Sequence, residues 1–193
     1  MEREVVMTGI GGQGIQLLAK LLAQAAIRER RNVMTFGLFM GTIRGGSSES
    51  TVVIGDDEIQ APPIVPRIWA VLAMHPAGLP PLAAKIRPGG ILVLNRGLVP
   101  DPSGWDGVRR LAVPATELAK SAGQAMGAGM VALGALAAAT GLVRIGSLQE
   151  ALADVVPAHR RKLAETNAAC LALGGEYAER EAADTRLGAW AAP

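Results

Sequence analysis

Cysteine is nearly missing from this chain: of 193 residues only Cys170 is one. A single thiol excludes an intrachain disulfide. It also excludes a cysteine-held iron–sulfur cluster or a structural zinc site built by this chain alone. A reducing compartment is the natural setting, and because "MEREVVMTGI" lacks the basic segment and long apolar run of a signal peptide, the cytoplasm is the expected location. Aromatic residues make up only 3%, so the core must be built from Ala, Val, Leu and Ile, and base-stacking platforms for nucleic acid are absent. An excess of one charge is lacking too. The formal net charge is +2, and the basic runs are no longer than Arg160–Arg161–Lys162, which is the size of a solvated helix face. Neither nucleic acid nor a membrane is an expected partner. Charge is wholly missing between Lys120 and Arg144, a window long enough to span a bilayer. Gly and Ala dominate it and Ser121, Gln124 and Thr140 interrupt it, which favours a buried, closely packed helix. The two histidines, His75 and His159, have no cysteine nearby and form no evident Ser–His–Asp set.

What is present is an alternation of short apolar runs and helical patterns. "EVVMTGI" reads as a buried parallel strand, and Leu17, Leu18, Leu21, Leu22 and Ala25 then recur at helical spacing before a second strand, "NVMTF". Further strands are expected at residues 48–55, "RIWAVLAM", "ILVLN" and a more exposed "GVRRLAVP". A short helix is expected from about Pro81 to the stop at Pro88-Gly89-Gly90, and another in "ATELAKSAG" with Thr116 as N-cap. After Gly123 the pattern is helical. Ser147 and Glu150 have capping-box spacing, and the helix through "AHRRKLAETNAACLAL" should halt at Gly174-Gly175. The expected fold is α/β, a three-layer domain with a mostly parallel sheet, helices on both faces and a helical C-terminal part. Residues 1–175 would form the single domain, and 176–193 a helical turn and tail.

Two glycine elements carry the functional signal. Gly9, Gly11 and Gly14 have G-x-G-x-x-G spacing after the first strand, with Gly12 and Gln13 between them. Glycines there let the backbone approach an anion, and the free N–H groups of the following helix point at it. A phosphate, a carboxylate or a partner's backbone would fit, and a purely structural turn is the plain alternative. A dinucleotide site, as in a stand-alone NAD(P)- or FAD-binding dehydrogenase, needs an acid about 20 residues on, at the end of the second strand. "MTFGLFMG" offers none, and Glu29 precedes that strand. The second element, "FGLFMGTIRGGSSES", groups Leu38, Phe39, Met40 and Ile43 in a glycine-rich loop and follows them with Arg44, Gly45 and Gly46. A fixed cation beside reachable N–H groups could clamp an anion or pair with another subunit. His75, before Pro76 at the end of the fourth strand, stands in a ligand-facing place, although a lone histidine is more often structural.

In this order, "GIGGQGI", "RGG" with small polar residues, "RPGGILVLN" and "VALGALAAATGLV" resemble the gamma subunit of 2-oxoacid:ferredoxin (acceptor) oxidoreductases, the group acting on pyruvate, 2-oxoisovalerate, 2-oxoglutarate and indolepyruvate. The likeness runs over about residues 4–175. It implies a non-redox component of an enzyme that oxidatively decarboxylates a 2-oxoacid, usually to acyl-coenzyme A. Thiamine diphosphate with Mg2+ and the iron–sulfur clusters would lie in alpha, beta and delta type partner subunits, with ferredoxin as acceptor. The gamma component itself would hold none of these cofactors, and a contact with coenzyme A or self-association is open to it. The resemblance places the ligand- or interface-binding residues at Gly9, Gly11, Gly12, Gln13, Gly14, Arg44, Gly45 and Gly46. No catalytic residue and no metal ligand is expected. Ile43 departs from the Met or Gln that often precedes the arginine. "AMGAGMVALGAL" lacks the Asn that often precedes this segment and would orient a ligand there. The small residues from Gly127 to Ala138 suggest that a backbone comes close, either a second helix of this chain or a facing subunit.

Overall fold

The computed structural model describes residues 1–40, 46–62, 64–101, 105–156 and 161–181, apart from the side chains of 38–40 and 161. Six strands form one sheet: β1 (Glu2–Ile10), β2 (Asn32–Met40), β3 (Ser47–Gly55), β4 (Ile68–Ala73), β5 (Ile86–Asn95) and β6 (Arg109–Val113). The α-helices are α1 (Ile15–Arg28), α2 (Pro80–Ala83), α3 (Ala115–Ser121), α4 (Ala128–Thr140), α5 (Ile145–Val155) and α6 (Arg161–Glu181). Single 3-10 turns stand at Pro76–Gly78 and Ala125–Gly127.

The sheet order is β2-β3-β1-β4-β5-β6. The pairings β1–β4, β4–β5 and β5–β6 are parallel, while β3 runs antiparallel to both β1 and β2. The mostly parallel α/β sheet is therefore present, with one reversed strand. That reversal follows from the connection, because β2 and β3 form a hairpin in register from Asn32↔Gly55 to Met40↔Ser47, whereas every parallel neighbour needs a crossover. The second glycine element is thus less of a loop than its glycines suggest. Phe36–Met40 ends β2 and Ser47–Ser50 begins β3.

Alternation along the strands sorts the core. Val5, Met7, Val52, Ile54, Ala70, Leu72, Ile91 and Val93 face one side, where α1, α3, α4, α5 and α6 cover them. Val6, Val53, Val71, Ala73, Leu92 and Leu94 face the other, where Leu82 of α2 and Ile59, Val65, Val99 and Trp105 pack. Helices do lie on both faces, but unequally.

α4 explains the chargeless window. It lies between the sheet and α6, and all its residues except Ala128 and Ala138 are buried, so it has no polar side to show. Among the described residues no helix is long and apolar enough to cross a membrane. A Cβ on Gly134 would fall on the carbonyl of Leu171, and one on Gly174 on the carbonyl of Val131. The backbone that approaches the small-residue helix is thus α6 of the same chain, rather than a facing subunit.

Four local expectations are corrected. The helix expected from Pro81 to Gly90 is only α2; Pro88, Gly89 and Gly90 already lie in β5. Thr116 is inside α3 rather than its N-cap, and its hydroxyl accepts from the buried Asn95 side chain at 2.9 Å. α5 begins at Ile145, two residues before Ser147, so no capping box forms and Ser147 is buried within the first turn. α6 does not halt at Gly174-Gly175, because those glycines face α4 and α5 inside a packed helix and the chain stays helical to Glu181.

Candidate functional site at the carboxyl edge of the sheet

Because β1, β4, β5 and β6 are parallel, their carboxyl ends share one edge, the edge at which open α/β sheets bind ligands. Met40 and Ser47, paired with each other and, through Ser47, with Ile10, lie at the same edge. Here the two glycine elements meet, since the Gly11 N–H donates to the Gly46 carbonyl at 3.0 Å. Arg44 and Gly45 lie outside the described residues.

The glycine loop divides into fixed and presented residues. The Gln13 carboxamide closes the loop: its Oε1 accepts from the Ile10 N–H at 2.9 Å and its Nε2 donates to the Met74 carbonyl at 3.1 Å. One side chain thereby joins the ends of β1 and β4. Gly9 lies beneath it, where a Cβ would come within 2.5 Å of Gln13 Oε1. By contrast Gly11, Gly12 and Gly14 are exposed. Gly12 and Gly14 have φ of 96° and 74°, the left-handed region that side chains resist, and Gly14 is the N-cap of α1. No side chain caps α1 and its first turn has no acid, so its N-terminal N–H groups and their dipole remain for another group.

His75 follows β4 at this edge and is half-buried. Its Nδ1 accepts from the Ala77 N–H at 3.3 Å, capping the turn at Pro76–Gly78. It therefore has a structural use in the chain, and it stands next to Met74, whose carbonyl Gln13 holds. His159 lies outside the described residues. Cys170 is buried against Gly127, where a Cβ would come within 2.6 Å of its Sγ, and burial pushes its thiol up, which makes it inert. Among the described residues no three His, Cys, Asp or Glu side chains gather to hold a metal.

The dinucleotide reading fails on topology as well as on the missing acid. β3 occupies the place beside β1, so β2 stands two strands away, about 10 Å at the usual strand spacing. An acid at its end would be out of step with a ribose held over β1. Glu29 is engaged at the far end of α1, where its carboxylate accepts from the Arg144 backbone N–H at 2.8 Å.

One feature is not legible from motifs. Beside Gly12 and Gly14 a cleft of about 310 Å³ opens between the start of α1, the start of α4 and α6, with Gln124 and Asn167 in its wall. The segment that lacks an asparagine ahead of "MVALGAL" thus has two carboxamides next to it, one from a remote helix. Only the packing of α6 on α4 brings Asn167 there.

A model of the family described as pyruvate ferredoxin/flavodoxin oxidoreductase matches residues 4–177. The ketoisovalerate oxidoreductase subunit VorA of Methanothermobacter thermautotrophicus is 32% identical over 92% of this chain, which spans 36% of that relative. The 2-oxoglutarate synthase subunit KorC of the same organism is 32% identical over 81% of this chain and 86% of its own length. The chain thus spans about a third of one kind of relative and most of the other. Among solved structures, the keto/oxoacid ferredoxin oxidoreductase gamma subunit from Geobacter sulfurreducens superposes with a TM-score of 0.80 at 29% identity, covering 93% of this chain and 98% of that one. A 2-oxoglutarate:ferredoxin oxidoreductase from Magnetococcus marinus, solved with 2-oxoglutarate, coenzyme A and succinyl-CoA bound, shares the fold at a TM-score of 0.85 and 24% identity, covering all of this chain and 33% of its own. The chain therefore belongs to the pyruvate ferredoxin/flavodoxin oxidoreductase family, as a domain of the gamma-subunit type.

Proposed function

We propose that this chain works in the cytoplasm as the non-redox gamma component of a 2-oxoacid:ferredoxin oxidoreductase that decarboxylates a 2-oxoacid oxidatively. The observation that carries this reading is the near full-length match to KorC and to the Geobacter gamma subunit, joined to a sequence with a single cysteine. One inert cysteine cannot ligate a cluster, and no G-D-G segment with a downstream Asn is present to hold a diphosphate through a metal. In this reading thiamine diphosphate, Mg2+ and the iron–sulfur clusters sit in alpha, beta and delta type partners, and ferredoxin takes the electrons from the complex.

This chain's own part is to present the carboxyl edge of the sheet. Gly12 and Gly14 offer backbone N–H groups; Gly9, Gly11, Gln13 and Gly46 hold the loop in place; His75 flanks it; Arg44 and Gly45, which lie outside the described residues, add a cation next to Gly46 in the sequence. An acidic partner surface or an anionic portion of coenzyme A is the complementary chemistry. The test is a tagged copy of the chain purified from its native host, with mass spectrometry of what accompanies it and an assay against several 2-oxoacids. Co-elution of larger chains bearing thiamine diphosphate and iron, with 2-oxoacid-dependent ferredoxin reduction, is expected. Recovery of the chain with none of these would remove the proposal.

A further inference from the structure

We propose that the cleft beside the glycine loop is a small-molecule site for a singly charged anion carried on a short apolar body. The first observation is the open start of α1. Among the described residues the N–H groups of Gly12, Gly14, Ile15, Gln16 and Leu17 have no hydrogen-bond partner, and no side chain caps the helix. The second is independent and comes from a different helix. Asn167 of α6 is only 4% exposed, it lines this cleft, and its carboxamide has no hydrogen-bond partner among the described residues. Buried polar groups are normally hydrogen-bonded, so a nearly buried carboxamide that the chain leaves without a partner marks a place that a ligand can complete.

The lining specifies the ligand. None of the described residues around the cleft is charged. The compensating field is that of the helix terminus, about half an elementary charge, which suits one negative charge better than two. Leu18 and Met130 supply an apolar wall, and Gln124 is fixed at the mouth by its bond to Thr166 at 3.2 Å. About 310 Å³ is at the lower end of small-molecule sites, room for a head group and a short chain rather than for a dinucleotide. A carboxylate and a phosphodiester both satisfy this chemistry.

The inference stands apart from the subunit assignment, because it is read on the free 193-residue chain. Titrations of the 15N-labelled protein with hexanoate, dibutyl phosphate, hexanol and inorganic phosphate test it. One or both organic anions should shift the backbone signals of Gly12, Gly14, Ile15 and Gln16 and the side-chain amide of Asn167. Their binding should be at least about fivefold tighter than that of hexanol or inorganic phosphate, and the tighter of the two names the head group. Asn167→Asp, which puts a carboxylate in the cleft, should weaken that binding at least about tenfold. Gln124→Glu, at the half-buried mouth, should weaken it in the same direction and serves if the first variant does not fold. Equal binding of hexanol and the anions, shifts confined to other parts of the chain, or folded variants that bind as tightly as the parent would overturn it.

Discussion

At the scale of single residues the glycine loop depends on a glutamine more than on its glycines. The Gln13 carboxamide satisfies an N–H at the end of β1 and a carbonyl just past β4. Gln13→Ala leaves both without that partner, and a net loss of about 1–3 kcal/mol is expected in urea unfolding. A loss below about 0.5 kcal/mol would show that water replaces the amide at no cost. Glu49 makes a pH-dependent prediction. Burial holds its carboxyl above the ordinary value of 4.5, with Lys85 partly opposing. The folded chain therefore binds this proton more tightly than the unfolded chain, and the stability it contributes is lost as pH rises from 4.5 through the raised value. Glu49→Gln cannot ionise, so its Tm relative to the parent should climb across that window and then level off. A difference that stays constant from acid to neutral pH would contradict this.

Among the elements, α4 and α6 meet backbone to backbone. Gly134 has the carbonyl of Leu171 where its side chain would be, while a Cβ on the exposed Gly146 in α5 would meet nothing within 4 Å. Gly134→Ala must push two helices apart and should cost at least about 2 kcal/mol. Gly146→Ala should instead stabilise by about 0.4–1 kcal/mol by restricting the unfolded chain. Thermal unfolding of the pair decides it, and equal effects would mean that α4 and α6 do not meet along these glycines. The existence of the elements was largely legible, because apolar runs and helical spacing are local signals: Ile91–Asn95 and Leu17–Ala25 read correctly. Direction and ends were not. Nothing in "SESTVVIG" says that this strand runs antiparallel, since alternation is the same either way, and only the hairpin with β2 reverses it. Caps misread for a related reason: Ser147 and Thr116 have the right chemistry, but tertiary packing buries one and gives the other's hydroxyl to Asn95. The candidate site was half legible. The glycine spacing announced the loop, but Asn167 lies some 150 residues further on and no spacing rule connects them.

For the molecule as a whole, the unequal covering of the sheet matters most. Among the described residues one face carries five helices and a deep aliphatic core, and the other only α2 and extended segments. The carboxyl edge between them gathers an uncapped helix start, a hairpin end and His75, with no metal-binding cluster among the described residues. In the proposed function this edge binds and positions, and the electrons pass through partners. The account therefore stands on a division of labour between this chain and larger partners. Its most direct test is turnover of a 2-oxoacid with ferredoxin, measured for the purified chain alone and for its complex depleted of and then resupplied with the chain. The account predicts no activity and no retained flavin in the chain alone, and recovery of activity when it rejoins the complex. Oxidation of a 2-oxoacid by the chain alone, or a tightly held flavin in it, would contradict the account.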